Sequence, residues 1–349
     1  MPEFVQGTCE EMCPDQEVKL RTKERLLHFY ECKPGQKNVP GILVKSFSRS
    51  AAGIKIPRRK DLRTQRALNQ TVEYLLKEII LDKRRPFNHV YDFVFDRLRA
   101  IRQEIVMQSY DSTATIRLLE PMIMFLAYSR YRLCEESVDN FDPKICDQHL
   151  QECLKRVLCC YDEVYAKFGY ENMKLNAIRS RIFIESIYQL FNLGSVEALT
   201  RCVHLPVEIK TDPIFAAVYS IALNHFQGNF YKVLDGVARL PHILCATSCL
   251  KLQIIRRQVF QIFASAYSSK QLLLPVDWLR KLLLYSNNSE VVQDCKYFEL
   301  EYISEKNAIR FYKSDFKCEN VPLKQKHEGF ADEKLKKIYL PDILLLKKL

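Results

Sequence analysis

FNHVYDFVFDRLRAIRQEIVMQ, residues 87 to 108, places Val90, Val94, Leu98, Ile101 and Ile105 at the spacing that lines one stripe of a helix. Asp92, Asp96, Arg99 and Gln103 fall on the opposite side, and Arg97, Arg99 and Arg102 put three cations within six residues. Asp96 is positioned to pair with Arg99 one turn on. The stretch reads as a long amphipathic helix whose apolar stripe seeds a helical body and whose arginines pin neighbouring segments. Asp96, Arg97, Arg99, Arg102 and Gln103 are therefore architectural candidates, and no enzyme chemistry is visible among them.

Composition extends that reading to the whole chain. With 349 residues, 48% of them hydrophobic, there is ample material for a core, while only 9 glycines starve the sequence of the tight loops an α/β enzyme needs. Downstream of the opening stretch, Asp111-Ser112 starts a helix that Pro121 should kink or split. Asp142-Pro143 starts another, with apolar residues at Ile145, Leu150, Leu154, Val157, Leu158 and Tyr161, stopping near Gly169. Upstream, Asp61 is a plausible N-cap for a helix carrying Leu62, Leu68, Val72, Leu75, Leu76 and Ile79. From 172 to 250, shorter units separated by Gly194, Pro206, Pro213, Gly228 and Pro241 suit a stack of helical hairpins. His225 falls there and reads as a core or boundary histidine.

After residue 250 the pattern changes. An apolar helix runs over 251–268, a second begins at Pro275, and a turn at Ser289-Glu290 leads to two runs rich in Tyr, Phe and Ile around Ser304–Asn307. Helices followed by a β-hairpin give the order of a winged helix, with Trp278, the sole tryptophan, expected in its core. The fold class is thus all-α, a helical-hairpin repeat body followed by a C-terminal winged helix with a small β-hairpin. The expected boundaries are 1–60 for an N-terminal and extended basic segment, 61–250 for the body, 251–316 for the winged helix and 317–349 for a basic tail.

The net charge of +11 is clustered. Residues 45–102 hold 15 Lys/Arg against 6 Asp/Glu, and residues 306–349 hold 11 against 6. Local basic surfaces favour nucleic acid, through counterion release, or an acidic protein partner, with a solvated basic loop as the alternative. Candidate contacts in the extended segment are Lys55, Arg58, Arg59 and Lys60. Those in the winged helix are Arg256, Arg257, Arg280, Lys281, Arg310 and Lys313. The helix from Pro275 is mostly leucine, so protein contact is at least as well suited to it as base reading. Between 33 and 60 the chain is rich in Pro, Gly and Ser and is expected to lie across the body, anchored by Ile42, Leu43, Val44 and Phe47. The tail, lysine-rich with an apolar end at Ile343 to Leu346, docks on the body or on a partner.

The 13 cysteines are scattered through helical patterns and read as reduced, mostly buried thiols of an intracellular chain without a leader. Cys9, Cys13, His28 and Cys32 have spacings that permit a tetrahedral zinc site, the alternative being small thiols packed beneath a turn. No metal or other cofactor is required by the rest of the chain. No apolar run reaches the roughly 20 residues needed to span a bilayer.

Three stretches together resemble the Sac-three/GANP family of mRNA-export scaffolds: GTCEEMCP at 7–14, VKSFSRSAAG at 44–53 and FVFDRLRAIRQEIVMQ at 93–108. The length is that of short, domain-only members. The resemblance implies a PCI-type architecture that pairs with a second PCI-domain protein and a small acidic subunit, the two winged helices forming a joint basic surface for nucleic acid such as single-stranded RNA. It implies a place in the nucleus and cytoplasm, in mRNA export or a related RNA process. Short members are also linked to centrosome duplication and the mitotic spindle, which would need protein contacts only. An enzyme is not expected, because a phosphate-cradling glycine loop, a nucleophile elbow and clustered His and carboxylate residues are all missing from the sequence.

Overall fold

The computed structural model describes residues 5–36, 38–49, 57–170, 172, 174–317 and 324–348. In chain order the helices are α1 (Asp15–Lys23), α2 (Gln65–Lys77), α3 (Phe87–Met107), α4 (Ser112–Arg132) and α5 (Pro143–Phe168). Next come α6 (Leu175–Phe191), α7 (Val196–His204), α8 (Val207–Lys210), α9 (Pro213–Phe226), α10 (Phe230–Arg239), α11 (His242–Cys249) and α12 (Leu252–Ala266). Then α13 (Val276–Leu282), α14 (Asn288–Tyr297), α15 (Gly329–Lys336) and α16 (Leu340–Leu344) follow, with strands β1 (Leu274–Pro275), β2 (Glu301–Ile303) and β3 (Ala308–Arg310) interspersed. Two compact units result. Unit 1 comprises Met1–Ser129, Asp139–Lys174 and Tyr339–Leu349, and unit 2 comprises Arg130–Val138 and Leu175–Ile338. The segment 61–250 contributes to both, as does the tail.

In unit 1 the α3 stripe is buried as its spacing predicts, Val90, Val94, Leu98, Ile101 and Ile105 all being 6% exposed or less. Each such side chain contributes about 1.5–3 kcal/mol by leaving water. The predicted apolar face of α2 is buried too, but its N-cap is Thr64, whose hydroxyl accepts from the Ala67 amide at 3.2 Å. Asp61 instead closes a 3-10 turn and pairs with Arg58. Pro121 leaves α4 unbroken. Met122 to Ala127 are buried on every side, so packing outweighs one missing backbone donor. α5 starts at the Asp142 cap as expected, though Ile145 is exposed. α16 packs on α2, burying Ile343 and Leu344, and Lys347 reaches Glu73 at 3.2 Å.

Unit 2 is built on α6, buried almost all round from Ser180 to Leu190. It packs against α7, α9 and α11, and α9 pairs with α10. Short helices are demarcated by local caps: Ser195 for α7, Asp212 with Pro213 for α9, and Asn229 for α10. The α9–α10 approach is close enough that a Cβ at Gly236 would fall 2.6 Å from Ile221. The last part of the unit is a winged helix in the order α12, β1, α13, α14, β2, β3, its antiparallel sheet ordered β1-β3-β2. Leu274 and Tyr302 both register with Ile309. Phe260, Val276, Leu279, Val291, Cys295 and Phe311 form its core. Trp278 is not in that core: it is 44% exposed and stacks on Phe263.

Most helical cysteines are buried, including Cys146, Cys153, Cys160, Cys202, Cys245 and Cys249, whereas Cys159 is exposed and Cys134 half-buried. Among the described residues no helix is long and apolar enough to cross a membrane.

Candidate nucleic-acid interface and the signature network

Two buried carboxylates knit the three signature stretches together in unit 1. Glu31, fully buried, accepts from Arg97 and from the Val44 amide, each at 3.1 Å, from the His28 amide at 3.1 Å, and from Arg21. Burial alone would raise its pKa, but Arg97 and Arg21 outweigh it and hold the carboxyl below its ordinary range. Glu104 accepts from the Arg63 amide at 2.7 Å, from Arg63 Nε at 3.0 Å and from Lys45 Nζ at 2.9 Å. Arg63 is itself wholly buried.

The N-terminal signature closes over this pair. Gln108 Oε1 accepts from the Gly7 amide at 2.8 Å, and Gln108 Nε2 donates to the Arg63 carbonyl at 2.9 Å. Only glycine fits at position 7, because a Cβ there would lie 2.5 Å from the Leu62 carbonyl oxygen. The backbone then pairs Cys9 with Leu62 and Thr64, and Met12 with Lys45.

Three of the architectural candidates on α3, Asp96, Arg99 and Gln103, hold the segment at Phe47 and Ser48, while Arg97 holds Glu31 and Arg102 holds α5. Asp96 bonds Arg97 and the Phe47 amide, so the ion pair with Arg99 expected one turn on is not its partnership. Arg99 instead lies over the Phe47 ring, 3.8 Å from its centroid. Arg102 reaches Glu152 at 2.8 Å, and Gln103 donates to the Ser48 carbonyl at 2.9 Å. Leu43 and Val44 are buried as anchors, whereas Ile42 is exposed.

Cys9, Cys13, His28 and Cys32 do not gather into a site. Among the described residues no group of three or more His, Cys, Asp or Glu side chains is placed to hold a metal. Cys13 is buried, which pushes its thiol up to about 12. His28 caps a 3-10 turn and stacks on Phe93 at 4.6 Å; burial first, then the Arg97 charge, lowers its pKa to about 4.

The basic candidates separate into several environments. Lys55 lies outside the described residues. Arg58, Arg59 and Lys60 are exposed, Arg58 pairing with Asp61 at 2.7 Å. Arg256 is no surface cation: 1% exposed, it pairs with Glu328, donates to the carbonyls of Leu283 and Leu284, and lies 3.9 Å from the centroid of the Tyr285 ring. Arg310 pairs with Glu301 across the wing at 2.6 Å. Lys281 and Lys313 are exposed and Arg257 and Arg280 partly so.

The third helix of the winged helix, α14, reads NSEVVQDCKY, where the sequence suggested a turn and a leucine-rich second helix suggested the reading element. Asn287 caps it, and Val291 and Cys295 bury its inner face. Its outer side and the wing line a groove of about 430 Å³ formed by Asn288, Ser289, Val292, Gln293, Lys296, Tyr302 and Asn307. Asn288, Ser289, Gln293 and Lys296 were not among the candidates. Their only local signal is the Asn287 cap followed by apolar residues four apart.

These features define a helical scaffold with an internally cross-linked N-terminal unit and a winged-helix module. Residues 12–304 match the SAC3/GANP family, and the chain belongs to that family. It is 27% identical over 309 residues to Protein xmas of Drosophila melanogaster, covering 85% of this chain and 14% of that protein. It is 35% identical over 140 residues to SAC3 family protein B of Arabidopsis thaliana, 38% of this chain and 8% of that one. Against SAC3 family protein 1 of Schizosaccharomyces pombe it is 23% identical over 340 residues, 90% of this chain and 32% of the relative. The matched region thus spans less than a third of each of these relatives.

Proposed function

We propose that this Sac3-type scaffold pairs with a PCI-domain protein and a small acidic subunit, binds single-stranded RNA through its winged helix, and serves mRNA export or a related process in nucleus and cytoplasm, without catalysing a reaction. The observation that carries the reading is the polar groove of α14 and the wing, with Ser289, Gln293 and Lys296 along it. Arg257, Arg280, Lys281 and Lys313 belong to the same module and supply further cations. Amide and hydroxyl groups beside cations suit phosphate and sugar contacts more than base-edge discrimination, so binding is salt-sensitive and weakly sequence-dependent.

The test is purification of the tagged protein from cells, with identification of stoichiometric partners, followed by RNA titration of the recovered complex at several salt concentrations. A PCI-domain partner, a small acidic subunit and RNA affinity lost on reversing the charge of Arg257, Arg280 and Lys281 support the reading. Recovery of centrosomal proteins alone, with no RNA affinity, would replace it by the centrosome and spindle role.

A further inference from the structure

A second cationic surface lies in unit 1, on the 3-10 turn that carries Phe29 and on the turn before α3. The turn Lys83-Arg84-Arg85 leads into α3, and all three side chains are exposed. The Arg84 and Arg85 guanidinium groups lie over the Phe29 ring, 4.8 and 4.0 Å from its centroid. Arg84 is held in place by Asp82, which accepts from its amide and from its Nε, each at 2.8 Å. Arg85 has no acidic partner among the described residues. Beneath the cluster, Phe29 packs edge-on to Tyr30 at 5.2 Å. Tyr30 is 3% exposed, and its hydroxyl has no hydrogen-bond partner among the described residues.

We propose that this Phe29–Arg84–Arg85 cluster binds single-stranded RNA, stacking a base on the outward face of Arg85 and meeting phosphates with the guanidinium edges. A guanidinium stacked on an aromatic ring keeps its in-plane N–H donors free while the ring fixes its orientation. Its other flat face accepts an unstacked base, which a single strand offers and a duplex does not. Lys83 adds a third charge along the same turn. A flat cation on a ring rewards π-stacked ligands, whereas an acidic peptide would sense charge alone.

The inference rests on the RNA-binding reading, and the experiment separates the two. Fluorescence anisotropy of the full chain with a labelled oligouridine of about 20 nucleotides, long enough to exceed one site, gives affinity against salt concentration. Arg84→Glu with Arg85→Glu is expected to weaken binding at least about tenfold, the loss of one stacked base. The loss of two phosphate contacts should flatten the slope of log affinity against log salt by at least about 1.4. Arg85→Lys keeps the charge and should retain the slope while losing affinity several-fold, which an acidic-peptide site would not do. Unchanged amide exchange in α3 confirms that the variants fold. If the double variant binds as the wild type does while reversal of Arg257, Arg280 and Lys281 abolishes binding, the cluster is not a site and the winged-helix reading stands. If wild-type protein does not bind oligouridine at all, both fall.

Discussion

Arg256 and Glu328, 72 residues apart, meet as a two-pronged ion pair at 2.6 and 3.0 Å, each side chain 1% exposed. The pair joins the first helix of the winged helix to the segment leading into α15. The Tyr131 hydroxyl closes the same joint by donating to the Glu328 carbonyl at 3.2 Å and accepting from the Glu328 amide at 2.8 Å.

Glu328→Ala should therefore cost about 3–5 kcal/mol, because a buried guanidinium is left facing only carbonyls and a ring. Arg256→Met combined with Glu328→Leu should recover most of that loss. Trp278, the only tryptophan, lies in unit 2, so its fluorescence during urea unfolding reads the effect directly. Equal midpoints for Glu328→Ala and wild type would show that the pair contributes nothing net.

Glu31 gives unit 1 an acid-sensitive joint. Its folded pKa is depressed by Arg97 and Arg21 against the opposing effect of burial. Its contribution is therefore fully present above the unfolded value, near 4.5, and is lost as pH falls through the folded value. In Glu31→Gln the pH dependence of α3 amide protection below about 4.5 should flatten, with protection reduced at neutral pH.

Arginines two positions apart on α3 should behave differently. Arg97 is buried against Glu31, and its removal takes one of the two cations from a carboxylate that keeps Arg21 and two backbone amides, so Arg97→Ala should cost about 1.5–3 kcal/mol. Arg99 stacks on Phe47 near the surface, and Arg99→Ala should cost only about 0.5–1 kcal/mol. Melting temperatures of the two variants, measured side by side, check the order; a larger drop for Arg99→Ala would reverse the assignment.

Glu120 works in the opposite direction from Glu31. Burial raises its pKa to about 7, against the hydrogen bond from the Tyr161 hydroxyl. The folded state therefore holds a proton that the unfolded chain releases near 4.5, and stability falls as pH rises from there toward 7. Glu120→Gln keeps a neutral acceptor for Tyr161 and should remove that slope from a pH series of unfolding midpoints.

Periodic burial was legible from the residues alone. The α3 stripe and the caps at Asp142 and Thr64 rest on contacts within a turn or two, although the cap of α2 was placed three residues early. Arg63, Arg97, Glu31 and Glu104 were not legible as a core, since charge is buried only when a partner 41 or 66 residues away arrives. Arg256 misled for the same reason: Glu328 converts a surface-type residue into an interior one. α14 escaped because ten residues with two fully buried positions carry little periodic signal, and Trp278 because its ring finds a partner, Phe263, at the surface.

The seating of α16 on α2 has a consequence for synthesis. Residues 175–338, which build most of unit 2, emerge from the ribosome between the main part of unit 1 and its final helix. At about 5–20 residues per second, the α2 surface that Ile343 and Leu344 cover stays open, from the making of α2 to that of α16, for roughly ten to fifty seconds. During that interval the nascent chain presents an apolar patch to the cell, an exposure fixed by the order of its helices.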